Sequence, residues 1–125
     1  MGYHTVDLES IEPRDGIPGR HHYVNDAVDL DHLTVQLVHA EPGEDFAPHH
    51  QHGVEEEVFV VISGTLVVET PEETYEVPEG EAFVAEPRSP LHPHNPAAAD
   101  GPVRAILVNA PVSDDFERLD PAEFD

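Results

Sequence analysis

The stretch Gly43-Glu44-Asp45-Phe46-Ala47-Pro48-His49-His50-Gln51-His52-Gly53-Val54-Glu55-Glu56-Glu57-Val58-Phe59-Val60-Val61-Ile62-Ser63-Gly64 decides how this chain folds. Its second half, from Glu57 to Ser63, is dense in β-branched and aromatic residues, the composition of a packed strand. Its first half, from Phe46 to His52, reads as extended chain that turns at Gly53. On extended backbone, residues two apart share a face. His50 and His52 therefore point the same way and can offer two imidazoles to one ion. Glu57 follows after the turn, on a strand that can approach from the neighbouring position. Two neutral imidazoles and a carboxylate suit one divalent transition metal ion, Fe, Mn, Ni, Zn or Cu.

Outward from this stretch the pattern stays β. Residues 33–39 read as a strand, followed by a turn at 41–44. Ser63-Gly64 reads as a tight hairpin turn into a strand at 65–70. A turn at 71–73, strands at 74–77 and 81–85, a Pro-rich loop and a last long strand at 103–109 complete the series. Residues 1–30 are mixed, with turn signals at Pro13, Asp15-Gly16 and Pro18-Gly19. Residues 111–125 are acidic, contain Pro111 and Pro121, and read as a mobile tail with one helical turn. Short, closely spaced strands without an amphipathic helix predict an all-β sandwich or barrel. At 125 residues the chain is one domain, 1–125, with a barrel core at about 30–110.

The strand at 57–63 is apolar on both faces. Phe59 and Val61 point one way, and Val58, Val60 and Ile62 the other. A surface strand keeps one face wet, so the second face predicts a cover, from the N-terminal segment or from a partner subunit. A homodimer is the expected form.

These residues resemble the first motif of the cupin superfamily: a Gly, about five residues, His-x-His, three or four residues, Glu, six residues, Gly. Here Gly43 is followed by six residues, His50-Gln51-His52, four residues, Glu57, six residues and Gly64. The departure is one extra residue before the first His. His49 fits the shorter spacing but has Gln51 where a second histidine would stand, and it reads as a supporting or solvent-facing neighbour. Glu55 and Glu56 read as solvated surface acids. The resemblance implies a conical, jelly-roll-like β-barrel with short irregular N- and C-terminal extensions and a metal in its mouth. It implies metal ligands at His50, His52 and Glu57.

The second motif of the superfamily is degenerate in this chain. Counting from Gly80 or back from Asn95 places the fourth ligand at Leu91. Anchoring instead on Pro87, with Ser89 in the glycine place, gives His92. His92 is the expected fourth ligand, with His94 or no fourth protein ligand as the alternatives. A one-residue slip on a strand turns a side chain to the opposite face, so the choice matters. Arg88 stands near the expected rim, where it pairs either with an anionic substrate or with a structural acid. His4, His21, His22, His32 and His39 show no ligand spacing.

The resemblance does not fix a reaction. An oxygenase-like metal enzyme acting on a small organic substrate is the first reading, since a His/His/Glu set with open positions is similar to a facial triad. A non-catalytic barrel that binds or senses a small molecule is the alternative. Isomerase or epimerase chemistry is a third option that needs a general base, and Tyr75 is unpaired with one.

Composition narrows the partners. With no cysteine, disulfides and thiolate chemistry are excluded. The first residues lack the basic and apolar regions of a signal peptide, and no run of about 18 apolar residues occurs, so neither export nor a membrane is expected. Acidic residues number 27 against five arginines and no lysine, for a net charge of −22. The acids are spread along the chain, and such a surface repels nucleic acid. The composition resembles that of cytoplasmic proteins from salt-in halophilic archaea, which implies a high-salt cytosol. The Debye length is about 3 Å at 1 M salt and about 10 Å at 0.1 M, so self-repulsion grows as salt is removed. The melting temperature is therefore expected to fall when KCl drops from multimolar to about 0.1 M, and a flat melting curve over that range would contradict the salt-adapted reading.

Overall fold

Residues 103–110 alternate between buried and half-buried positions at every step, the period of a strand with one face in a core. The same period organises the whole molecule. A computed structural model describes residues 2–124; Met1 and Asp125, the ends of the expected 1–125 domain, lie outside the described residues. Ten strands run in chain order: β1 (Arg20–Tyr23), β2 (Thr34–Ala40), β3 (His50–His52), β4 (Glu56–Ser63), β5 (Thr65–Glu69), β6 (Thr74–Pro78), β7 (Ala82–Ala85), β8 (His92–His94), β9 (Val103–Ala110) and β10 (Phe116–Arg118). Among the described residues the helical elements are short 3-10 turns at Leu8–Ser10, Val24–Asp26 and Pro121–Phe124.

One sheet has the order β1-β2-β9-β4-β7, antiparallel throughout. The facing layer is β6-β5-β8 continued by β3-β10, and isolated bridges between His50 and Leu91 and between Asp45 and His94 join its two parts. The fold is all-β, as the strand pattern requires. Phe46, Phe59, Val61, Leu66, Val68, Leu91, Val103 and Leu107 fill the space between the layers. Their inward placement follows from alternation, since each is flanked by residues that face out.

Three features differ from the sequence reading. Ser63-Gly64 is not a hairpin turn, because β4 pairs with β7 and β9 whereas β5 pairs with β6 and β8. Gly64 instead turns the corner from one sheet to the other. It has a φ of 76°, and a Cβ there would sit 2.4 Å from the Pro102 carbonyl oxygen. Both the left-handed backbone and that close approach require glycine.

The tail expected to be mobile returns to the sheet, where β10 pairs with β3 so that Phe116 faces His52 and Arg118 faces His50. The residue alternation there is too short to read from sequence, and its partner strand is far away in the chain. The N-terminal segment also differs from a candidate cover for β4. It adds β1 to the edge of β2, and Glu9 pairs with Arg104 on β9. Within the chain, Val60 and Ile62 on β4 and Val84 on β7 therefore stay 42%, 42% and 58% exposed.

Asn95 holds the loops beneath the barrel. Its buried side-chain amide donates to the carbonyls of Ala40 at 3.1 Å and Gly101 at 2.9 Å. No helix among the described residues is long and apolar enough to cross a membrane.

Candidate metal centre

Strand alternation and one ladder contact bring the first-motif residues together. The His50 amide donates to the Leu91 carbonyl at 3.0 Å, and the Leu91 amide donates back at 2.9 Å. This pair fixes the face on which His50 lies, and His52 follows on the same face. Glu57 lies inward on β4, opposite Ala85 and Asn109. The three residues His50, His52 and Glu57 offer one ligand atom each within 4.8 Å of one another.

Hydrogen bonds select the nitrogens that face the centre. His50 Nδ1 lies 2.8 Å from the Pro48 carbonyl oxygen, which can only accept, so Nδ1 carries the proton. Its Nε2 points at Glu57 Oε1, 3.2 Å away. His52 Nδ1 lies 2.8 Å from Asp115 Oδ1, and its Nε2 is 3.6 Å from Glu57 Oε2. Two Nε2 atoms therefore converge on one carboxylate. That is the donor set a divalent transition metal takes, with a carbonyl and a carboxylate behind the imidazoles to orient them. The residues present fit such an ion.

The charges are arranged accordingly. Burial alone would raise the Glu57 carboxyl, but hydrogen bonding and charge from His50 and His52 outweigh it and hold Glu57 down at about 2. Burial would lower His52, yet Glu57 and Asp115 raise it to about 9. Glu55 is pushed up to about 7, first by burial and then by the Asp115 carboxyl. Burial acts to raise Asp115, but bonds from Glu55, from the Val54 backbone and from His52 take it well below the usual carboxylate range.

Asp115 is a site residue that the sequence did not reveal. Its Oδ2 accepts the amides of Val54 at 2.7 Å and Glu55 at 2.8 Å, so one tail carboxylate closes the turn after β3 and orients His52. Glu55, read as a surface acid, is consequently buried at 5% exposure. Phe116 stacks on His50 with ring centroids 4.7 Å apart and 15° between planes. The signal in the sequence was slight, an aromatic beside a carboxylate in an acidic tail that repeats the pair at Glu123-Phe124.

His92 is not brought to this trio. Leu91 points inward opposite His50 and is 2% exposed, so its neighbour His92 faces the other way and meets His49, Glu69 and Asp45. His94 lies beside His92 on that outer face. Arg88 is also elsewhere. Its amide donates to the His52 carbonyl at 2.7 Å, while its side chain lines a separate groove with Tyr75, Phe83 and Leu91.

The trio opens into a cavity of about 520 Å³, whose walls include Arg14, His21, Tyr23, Gln36, Asn109, Phe116 and Arg118. That is the size of a small-molecule pocket. Arg14 is engaged by Asp26 through bonds of 2.7 and 3.0 Å and lies 3.6 Å over the Tyr23 ring. The arginine ion pairs among the described residues are Arg14–Asp26 and Arg104–Glu9, which leaves the Arg118 guanidinium at the cavity wall outside either pair.

Comparison with known proteins agrees with this fold. The Cupin domain family matches residues 36–109. No curated protein matches the chain. Among solved structures, the polyketide cyclase RemF from Streptomyces resistomycificus aligns with a TM-score of 0.76 at 20% identity, covering 98% of this chain and 90% of that one. A Klebsiella pneumoniae protein with a double-stranded β-helix domain aligns at 0.75 and 21%, covering 94% and 98%. A sugar phosphate isomerase from Silicibacter pomeroyi aligns at 0.73 and 22%, covering 97% and 99%. At such identities the likeness establishes the fold alone.

Replacing Asp115 tests how the site is supported. Asp115→Asn is expected to weaken Co(II) or Zn(II) binding at the trio by about 10–100-fold, read by calorimetry, because the neutral amide has one acceptor oxygen and cannot hold His52 and the Val54 and Glu55 amides together. In the unsubstituted protein a metal must displace the His52 proton. Apparent affinity should therefore rise by about tenfold per pH unit from neutral pH and level off near the His52 value of about 9.

Proposed function

Because the chain belongs to the cupin domain family, we propose that it is a metal-dependent enzyme, oxygenase-like, that works on a small organic substrate carrying an anionic group. The observation that carries this reading is Leu91. It pairs with His50 and offers no ligand atom, so a metal would be held by His50, His52 and Glu57 alone and would leave its remaining ligands to water or substrate. A bound divalent metal supplies Lewis acidity toward a substrate oxygen and, as Fe(II), electrons for dioxygen chemistry.

The chain's own residues supply the rest. Arg118 faces the cavity from β10 and binds an anionic group of the substrate. Arg14 and Arg118 line this cavity together with the carboxylates of Asp45, Glu55 and Glu57, and with Arg14 paired to Asp26 it is Arg118 that is left to meet an anionic group. Phe116 covers the His50 ring and keeps water from that side. Gln36 and Asn109, both buried, offer amide contacts on the cavity wall, Asn109 directly beside Glu57.

The isomerase reading ranks below this one because the imidazole that lines the cavity outside the trio is already bonded. Both ring nitrogens of His21 are taken, by Gln36 at 2.6 Å and by the Pro18 carbonyl at 2.8 Å. Tyr75 lines the other groove. A salt-rich cytosol as the working environment is proposed on the charge alone.

We also propose that a second copy covers the outer face of β4. Val60, Ile62 and Val84 form an exposed apolar patch, and burying what each now leaves exposed is worth about 1 kcal/mol. Val60→Glu is expected to convert a dimer to a monomer in sedimentation analysis, and a monomeric unsubstituted protein would reject the dimer.

The enzyme reading is tested by elemental analysis and oxygen uptake with catechol- or flavonol-like substrates. About one metal per trio and oxygen consumption abolished by Glu57→Gln are expected. A protein that neither carries nor accepts metal at the trio overturns the reading. Ligand-induced stabilisation without turnover reassigns the barrel to binding.

A further inference from the structure

The outer face of the smaller layer carries a second set of histidines. His49 precedes the inward His50 and His92 follows the inward Leu91, so both point away from the cavity. Their rings stack with centroids 3.9 Å apart and 12° between planes. His94 continues the stack on His92 at 4.5 Å and 10°. Glu69 is the register partner of His92, and Asp45 bridges to His94, which places both carboxylates on the same face.

The proton positions in this cluster leave a gap. His92 Nε2 lies 3.0 Å from Asp45 Oδ1 and donates to it. His92 Nδ1, which carries a lone pair in the neutral tautomer, is buried and has no hydrogen-bond partner. It faces Glu69 Oε1 at 3.5 Å, in a residue only 9% exposed. His94 Nδ1 donates to the His92 carbonyl at 3.3 Å, so its Nε2 also presents a lone pair to Glu69 Oε1, at 3.5 Å. Acceptors converge on one point with no donor between them. Leaving a buried polar group unsatisfied costs about 1–3 kcal/mol, which a cation at that point removes.

We propose that His49, His92 and Glu69 bind a second divalent transition-metal ion, separate from the trio. His94 abuts the same carboxylate, and Asp45 orients His92 as Asp115 orients His52. The ligand atoms of His49, His92 and Glu69 lie within 4.8 Å of one another, and side-chain rotation draws them in to metal distances of about 2.0–2.2 Å. Imidazole-rich donors select Zn(II), Cu(II) or Ni(II) over Mg(II) or Ca(II). Such an ion ties the segment before β3 to β5 and β8, three stretches distant in sequence. It does not depend on the trio holding a metal, because the two sets face opposite sides of one layer.

Zn(II) titration of the metal-free protein, followed by calorimetry, separates the two sites. The unsubstituted protein is expected to take two equivalents. Glu69→Gln should remove one and leave the trio's, and Glu57→Gln or His52→Ala should remove the other and leave this one. Glu69 is half-exposed, so its replacement should keep the fold, which circular dichroism checks. Asp45→Asn keeps all three ligands and should weaken the second equivalent by about 10–100-fold. In the Glu57→Gln protein, the imidazole nitrogen resonances of His92 should move on adding Zn(II). The proposal fails if Glu69→Gln leaves the stoichiometry unchanged, or if the His92 resonances respond to pH but not to Zn(II). A single equivalent that survives Glu57→Gln and disappears with Glu69→Gln would retain this site and reject the trio as a metal centre.

Discussion

The reciprocal backbone pairing of His50 with Leu91 determines everything that follows in this molecule. It fixes two strands in register, and a strand has only two faces. Once His50 and Leu91 point inward together, His49 and His92 must point outward. The inner face gains a carboxylate-and-imidazole trio closed by an apolar side chain. The outer face gains a stack of imidazoles against two carboxylates. A slip of one residue between these strands would exchange the two sets.

The inner set places the charged Glu57 at 3% exposure. Burying an ion costs several kcal/mol unless it is paired and hydrogen-bonded, and here two imidazoles meet the carboxylate. Those imidazoles are in turn fixed from behind by the Pro48 carbonyl and the Asp115 carboxylate. The arrangement is rigid because each member satisfies another. By contrast the exposed Arg14–Asp26 pair, with both side chains at least 40% accessible, contributes about 0–1 kcal/mol and positions Arg14 more than it stabilises the fold.

The C-terminal segment shows how an acidic chain still closes around a site. β10 adds one short strand to β3, and its three residues divide by alternation: Phe116 and Arg118 toward the cavity, Glu117 outward to Gln51 at 2.9 Å. Asp115 stands at its start, where three donors meet one carboxyl group. A segment with little apolar surface of its own is thereby held by hydrogen bonds to the elements that carry the histidines.

The sequence by itself determined the all-β architecture and the union of His50, His52 and Glu57, because both rest on a period of two and on spacing within 22 contiguous residues. Local alternation is legible without knowing which strand lies beside which. It put Leu91 at the expected fourth-ligand position but took His92 as the ligand, and the pairing of Leu91 with His50 leaves His92 outside the trio. The tertiary structure alone decided that Gly64 is a corner between sheets, that residues 116–118 return to β3, and that Asp115 buries Glu55. It alone gathered His49, His92 and Glu69. Each of these depends on contacts between stretches far apart in the chain, and no pattern within either stretch encodes its partner.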